Sequence, residues 1–186
     1  TRSGETIELS RVAYLLSDLR PLARGNKASS GTWLHRNNWF AHVDASRPGG
    51  ISRLHLGDLP RQTYTVLRFQ VGLDQETNKA DPNLHPADHP LNPNLNNLHW
   101  TPQGGYIFLA MEGHLRKEGD TGGFAYHLGN SWNRTPVSLP LSLEFTGPVT
   151  IAIDVHLDRL FNGDKPLQIA ANPSPHSRKG DEIARL

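Results

Sequence analysis

The sequence predicts an all-β fold, an antiparallel β-sandwich with long loops and little helix. Two observations point there. Short runs of alternating apolar and polar residues recur along the chain, the period-2 pattern of half-buried strands. Turn signals separate them, drawn from 17 Gly and 14 Pro. A chain of 186 residues fits one domain, 1–186, and buries enough surface to need no disulfide. Its start on a strand-like pattern and its helix-opening tail suggest a domain cut at both ends.

In chain order, Thr6-Ile7-Glu8-Leu9-Ser10 reads as a strand. Val12 to Leu19 satisfies both strand and helix templates and is assigned to strand. Thr63 to Val71 is a strand with Leu67, Phe69 and Val71 on one face, and Gly105 to Met111 is a short apolar run suited to a central strand. Phe124 to Leu128 and Leu141 to Phe145 are two more. The clearest is Val149 to Leu157, where Val149, Ile151, Ile153, Val155 and Leu157 alternate with polar or small residues. Turns are expected at Arg47-Pro48-Gly49-Gly50, Pro102-Gln103-Gly104-Gly105, Thr121-Gly122-Gly123, Thr146-Gly147-Pro148 and Phe161-Asn162-Gly163-Asp164. From Asp74 to Asn97 the chain is rich in Asn, Pro, Asp and His, a long loop of the kind that is functional or disordered. From Pro175 to Leu186 the tail opens a helix near Ser177.

Composition excludes several classes. With no Cys, the chain holds no zinc ribbon, iron–sulfur cluster or catalytic thiol. A net charge of +1 gives no broad field for nucleic acid. No apolar run approaches the roughly 20 residues of a membrane span. There is no phosphate loop, no HExxH helix and no nucleophile elbow. Ten His without a single Cys point instead to imidazole chemistry.

Three places concentrate it. In Trp33-Leu34-His35 through Trp39-Phe40-Ala41-His42-Val43-Asp44, two Trp and two His are close neighbours. If 39–44 is extended, Phe40 and His42 share one face, and Trp39, Ala41 and Val43 the other. His42 or His35 would serve as ligand of a metal or redox site; the plainer reading is a core strand with packed indoles. His99-Trp100 leaves the long loop toward a buried strand. His127, with Ala125, lies opposite Phe124, Tyr126 and Leu128. Imidazole suits copper, zinc, iron and nickel alike, so spacing alone stops at a His-rich β domain.

A set of ordered strings narrows the choice. Tyr14-Leu15-Leu16-Ser17-Asp18, Phe40-Ala41-His42-Val43-Asp44, Phe69 to Asp74, Asn78, Asp81-Pro82, His99-Trp100, Gly105-Tyr106, Glu112-Gly113 and Tyr126-His127-Leu128-Gly129 together resemble the MbnP family, as does the tail from His176 to Ala184. These are periplasmic copper-binding proteins associated with methanobactin operons, related to the secreted proteins MopE and CorA. The resemblance implies a periplasmic or secreted protein, not an enzyme, that binds copper, Cu(I) or Cu(II). It implies histidine ligands, matched to His42 and His127. It also implies a Trp oxidised to kynurenine by a di-haem MbnH-like partner. The related Trp-x-His arrangement has its spacing at Trp33-Leu34-His35, while Trp39 is nearer His42, so both Trp and both His stay open. Leu98 stands where the family has Met, and the family's first strand has no counterpart. The alternative is a metal-free β-sandwich interaction module presenting Trp33, Trp39 and Trp132; a His-based metalloenzyme ranks third.

Overall fold

The computed structural model describes residues 4–25, 31–36, 38–46, 48–50, 52–100, 104–117, 120–163, 166–171 and 173. In chain order the elements are β1 (Thr6–Arg24), β2 (Gly31–Trp33), β3 (Phe40–Asp44), β4 (Thr63–Val71), α1 (Gln75–Lys79), α2 (Pro93–Asn96), β5 (Ile107–Lys117), β6 (Asp120–Gly129), β7 (Thr135–Glu144) and α3 (Arg159–Asn162). The fold is mainly β, as expected. All seven strands join one open antiparallel sheet in which β6-β5-β1-β4-β7 run in order, with β2 and β3 also paired to β1. A two-sheet sandwich is not what the described residues form.

The reason lies in β1. The two segments expected as separate strands are one strand of 19 residues. β5 pairs with Thr6 to Tyr14 and β4 with Leu16 to Ala23. Ala13 and Tyr14 pair with both β5 and β3, and Leu16 and Ser17 with both β3 and β4. A strand residue has two edges, so β3 lies opposite both. β5 and β4 therefore take successive lengths of the same edge of β1. The change falls between Tyr14 and Leu16; shortly after it, within the β4 ladder, comes an irregularity between Ser17 and Arg20, where Asp18 is left-handed at φ 57°. Bulges of this kind bend a strand and re-aim a side chain.

Each face of the sheet is covered by irregular chain and short helices. On one face Ala13, Leu15, Phe108 and Ala110 pack under Leu73, Leu91, Leu98 and Tyr106 from the segment between β4 and β5. On the other, Val12, Met111, Phe124 and Tyr126 meet Phe161 and Ile169, and Leu16, Ala41 and Val43 meet Leu54 and Trp39. Burial of this apolar surface, at about 25 cal/mol per Å², is the main force holding the layers together.

The segment from Asp74 to Asn97 is a built layer. Its polar side chains satisfy its own backbone: Asp74 accepts from the Thr77 N–H, Asn92 from Asn94, and the buried Asn96 from Leu98. Buried Asn78 accepts the Tyr106 N–H at 2.7 Å, and the Tyr106 hydroxyl donates to the Leu91 carbonyl at 2.8 Å. Asn and Asp are suited to this because their short side chains reach the nearby backbone.

Three further expectations are corrected. Val149 to Leu157 forms no strand, and Val149, Ile153 and Val155 lie 49%, 45% and 57% exposed. Its alternation is real, but both sheet faces already have their cover, and only its end, Leu157, packs on the core. Thr121-Gly122-Gly123 lies inside β6 rather than in a turn. β5 and β6 each run beyond the segments read as Gly105–Met111 and Phe124–Leu128. Arg47, Thr101 to Gln103, Asp164 and the expected tail helix lie outside the described residues.

Candidate metal centre

The irregularity in β1 opens beside a polar cleft of about 280 Å³, lined among others by Asp18, Arg20, His35, Trp39, Asp74 and Arg134. Asp18 is its hub. Its Oδ1 accepts from Arg20 Nε at 2.7 Å and from His35 Nε2 at 2.9 Å, and its Oδ2 accepts from Arg134 Nη2 at 3.2 Å. Partial burial works to raise the Asp18 carboxyl. The hydrogen bonds from Arg20 and His35 and the charges of Arg20 and Arg134 outweigh it and hold the carboxyl below its ordinary range. The Asp18 side chain is 15% exposed and that of His35 48%, so the imidazole stands at the mouth. Trp39 packs its ring against the Leu16, Ala41 and Val43 cluster and donates its indole N–H to the His55 carbonyl at 3.1 Å.

Sequence left His35 and His42 open as partners of Trp39. The structure puts His35 in the cleft that Trp39 lines. His42 pairs with Leu15 in β3, on the Phe40 face, away from Trp39. Trp33 takes the Arg68 guanidinium over its ring at 4.3 Å, a cation–π contact.

His127, in β6, repeats the His35 arrangement. Its Nε2 meets Glu112 Oε1 at 2.9 Å, and the same oxygen accepts from Arg11 Nη1 at 3.0 Å. Arg11 also holds the Asn96 and Asn97 carbonyls. Burial works to raise the Glu112 carboxyl, but His127 and Arg11 bring it below its ordinary range. Along the register His127 faces Ala110, Ala110 faces Ala13, and Ala13 faces Asp44, two residues from His42. Three strand spacings, roughly 14 Å, and a stretch of apolar core thus separate His127 from His42. The structure does not bring these two together.

His99 bridges to Tyr106 and sets its ring edge-on to that phenol at 4.8 Å and 87°. Burial pushes its pKa down, and its Nδ1 is buried without a hydrogen-bond partner. Trp100 packs on the apolar core over Gly129. A pair that sequence reasoning missed is His85 and His89, stacked at 4.4 Å and 5°. Their lone pairs lie in parallel planes, so one metal between them would sit outside both. His89 Nδ1 already accepts the Leu91 N–H. Asp18, Glu112 and Arg134 were also missed. The two acids lie inside the strings Tyr14 to Asp18 and Glu112-Gly113, and a carboxylate near an imidazole was the signal available.

Among the described residues no three His, Cys, Asp or Glu are placed to share a metal ion. A closed four-ligand site of the zinc kind is therefore not built from them. The nitrogen donors present are imidazoles, two of them, His35 and His127, held by carboxylates. The single thioether, Met111, is core. Low-coordinate Cu(I), which accepts imidazole, fits that set.

The class the fold defines is a mainly β protein of one open sheet, with two imidazoles held by carboxylates, an arrangement by which metal-binding proteins orient their histidines. The chain belongs to the MbnP family, whose model matches residues 1–177. Membership implies a methanobactin-associated copper protein, in a family that is generally copper-binding rather than catalytic. No curated protein and no solved structure matches the chain. No helix among the described residues is long and apolar enough to cross a membrane.

Proposed function

We propose that this protein is an extracytoplasmic copper-binding protein, periplasmic or secreted, that holds Cu(I) through histidine imidazole at the Asp18 cleft. His35 is the imidazole there, and Trp39 is the residue oxidised to kynurenine by a di-haem MbnH-like partner. The observation that carries this is the shared cleft: His35 and Trp39 line it together, and His35 is held by a carboxylate. Indole is a poor ligand because its nitrogen lone pair belongs to the ring. Opening the ring leaves an aniline nitrogen able to donate. His127 and His42 remain imidazole donors of the same kind, too far apart to serve one ion in this arrangement.

The test is copper stoichiometry of purified H35A, H42A and H127A, each checked for a native far-UV spectrum. H35A is expected to lose most of its copper while folding normally. Full copper in H35A, with loss in H42A or H127A, would move the centre to that histidine. Full copper in all three sinks the imidazole assignment. A metal-free interaction module is the second reading, favoured by Trp132 at 58% exposure.

A further inference from the structure

We infer that Asp18 is the positioning residue of this centre: it holds the Nε2 proton of His35 and so makes Nδ1 the ligating nitrogen. The inference rests on the reading that His35 binds copper. Two guanidinium groups, from Arg20 and Arg134, already donate to the Asp18 oxygens, and a carboxylate so surrounded accepts, so the 2.9 Å contact has His35 Nε2 carrying the proton. A neutral imidazole then keeps its lone pair on Nδ1. Asp18 itself is not the ligand. Both of its oxygens are taken by Arg20, His35 and Arg134, and hard carboxylate oxygen suits Cu(I) poorly.

The backbone supports a placed carboxylate. Asp18 sits at φ 57°, a conformation that costs a residue with a Cβ and that Asp and Asn tolerate best. It sits in the irregularity that interrupts the β1–β4 ladder between Ser17 and Arg20. Its three partners come from separate stretches: Arg20 from β1, His35 from the chain after β2, Arg134 from the chain before β7. One carboxylate therefore fixes the imidazole relative to the sheet. The Glu112–His127 pair uses the same nitrogen, also at 2.9 Å, with an Arg on the same oxygen.

The experiment is long-range ¹H–¹⁵N NMR of the histidine rings in the metal-free full chain, followed by Cu(I) titration against a competing chelator. Wild type is expected to show His35 as the single Nε2–H tautomer. D18G keeps the left-handed backbone and removes the acceptor. It should mix the His35 tautomers, leave those of His127 unchanged, and weaken Cu(I) binding about 10- to 100-fold. D18N, which also tolerates this backbone and keeps an amide oxygen, should preserve the tautomer and most of the affinity. Wild-type His35 protonated on Nδ1, or a D18G protein with unchanged tautomer and affinity, overturns the inference. Should H35A keep its copper, the reading of the centre is what fails. Should H35A lose copper while D18G binds like wild type, the centre stands and the role of Asp18 falls.

Discussion

Asp18 and Glu112 each accept from an arginine and a histidine, and both carboxyls sit below their ordinary values of 3.8 and 4.5. Groups with depressed folded pKa values stabilise the native state above the unfolded pKa and lose that contribution as pH falls through the folded one. The share of the urea midpoint that these two pairs supply is therefore expected to persist near neutral pH and to be lost below about pH 4. The D18N/E112Q double variant should show a shallower drop; an equal slope would deny the two pairs a role in acid stability. At this scale sequence reading found the imidazoles and missed their anchors. Histidine is conspicuous by count, whereas an acid two residues before Arg20 looks like any solvated charge. Only the left-handed turn at Asp18 and the pairing of β1 make it a hub.

Elements were more legible where a strand has both faces covered than where it has neither. The apolar run of β5 and the alternation of β4 and β6 carried through, because the chain packed over each face buries what the pattern exposes. Val149 to Leu157 shows the limit: period 2 reports what a segment could bury, not whether a ladder edge and a face remain for it. I153K and V155K are expected to shift stability by within about 0.5 kcal/mol, as for exposed positions. A loss of about 2 kcal/mol or more in urea melts would restore the segment to the core. The polar segment before β5 behaves oppositely. N78A strips the buried Tyr106 N–H of its acceptor and should cost about 1–3 kcal/mol. The same segment carries His89 and His99, whose pKa values burial lowers; for His89 the charge of His85 adds to this. Here the unfolded chain binds protons first, so stability declines as pH falls below the ordinary 6.5, before the carboxylates titrate. Amide protection factors over 85–99, corrected for the intrinsic rate at each pH, should fall between pH 7 and 5.5 ahead of those of β5; unchanged protection would show that these rings do not gate the layer.

Across the whole molecule, β1 decides which side chains can act together. Because β5, β4, β3 and β2 all pair with it, His42 in β3 and His127 in β6 fall on opposite edges of β1. Sequence proximity misleads in consequence: Trp39 is three residues from His42 and points to the other face, while His35 shares its cleft. The four Trp also divide by environment. Trp100 is packed on the core, Trp33 lies under Arg68, Trp132 stands exposed near β7, and Trp39 alone among them lines the cleft with a histidine. A partner that oxidises one indole to complete a copper site must act where the product can meet an imidazole. Peptide mass spectrometry of protein co-expressed with a di-haem oxidase is accordingly expected to place the kynurenine mass on the Trp39 peptide. The other three should remain intact, as should all four when the partner is omitted. W39F should then bind less copper after co-expression and gain no kynurenine. Kynurenine at Trp33 would instead join the modified residue to His35 across Leu34, leaving the same cleft in use but approached from β2. Kynurenine at Trp100 or Trp132 would take the centre away from Asp18 altogether, because neither indole lines its cleft.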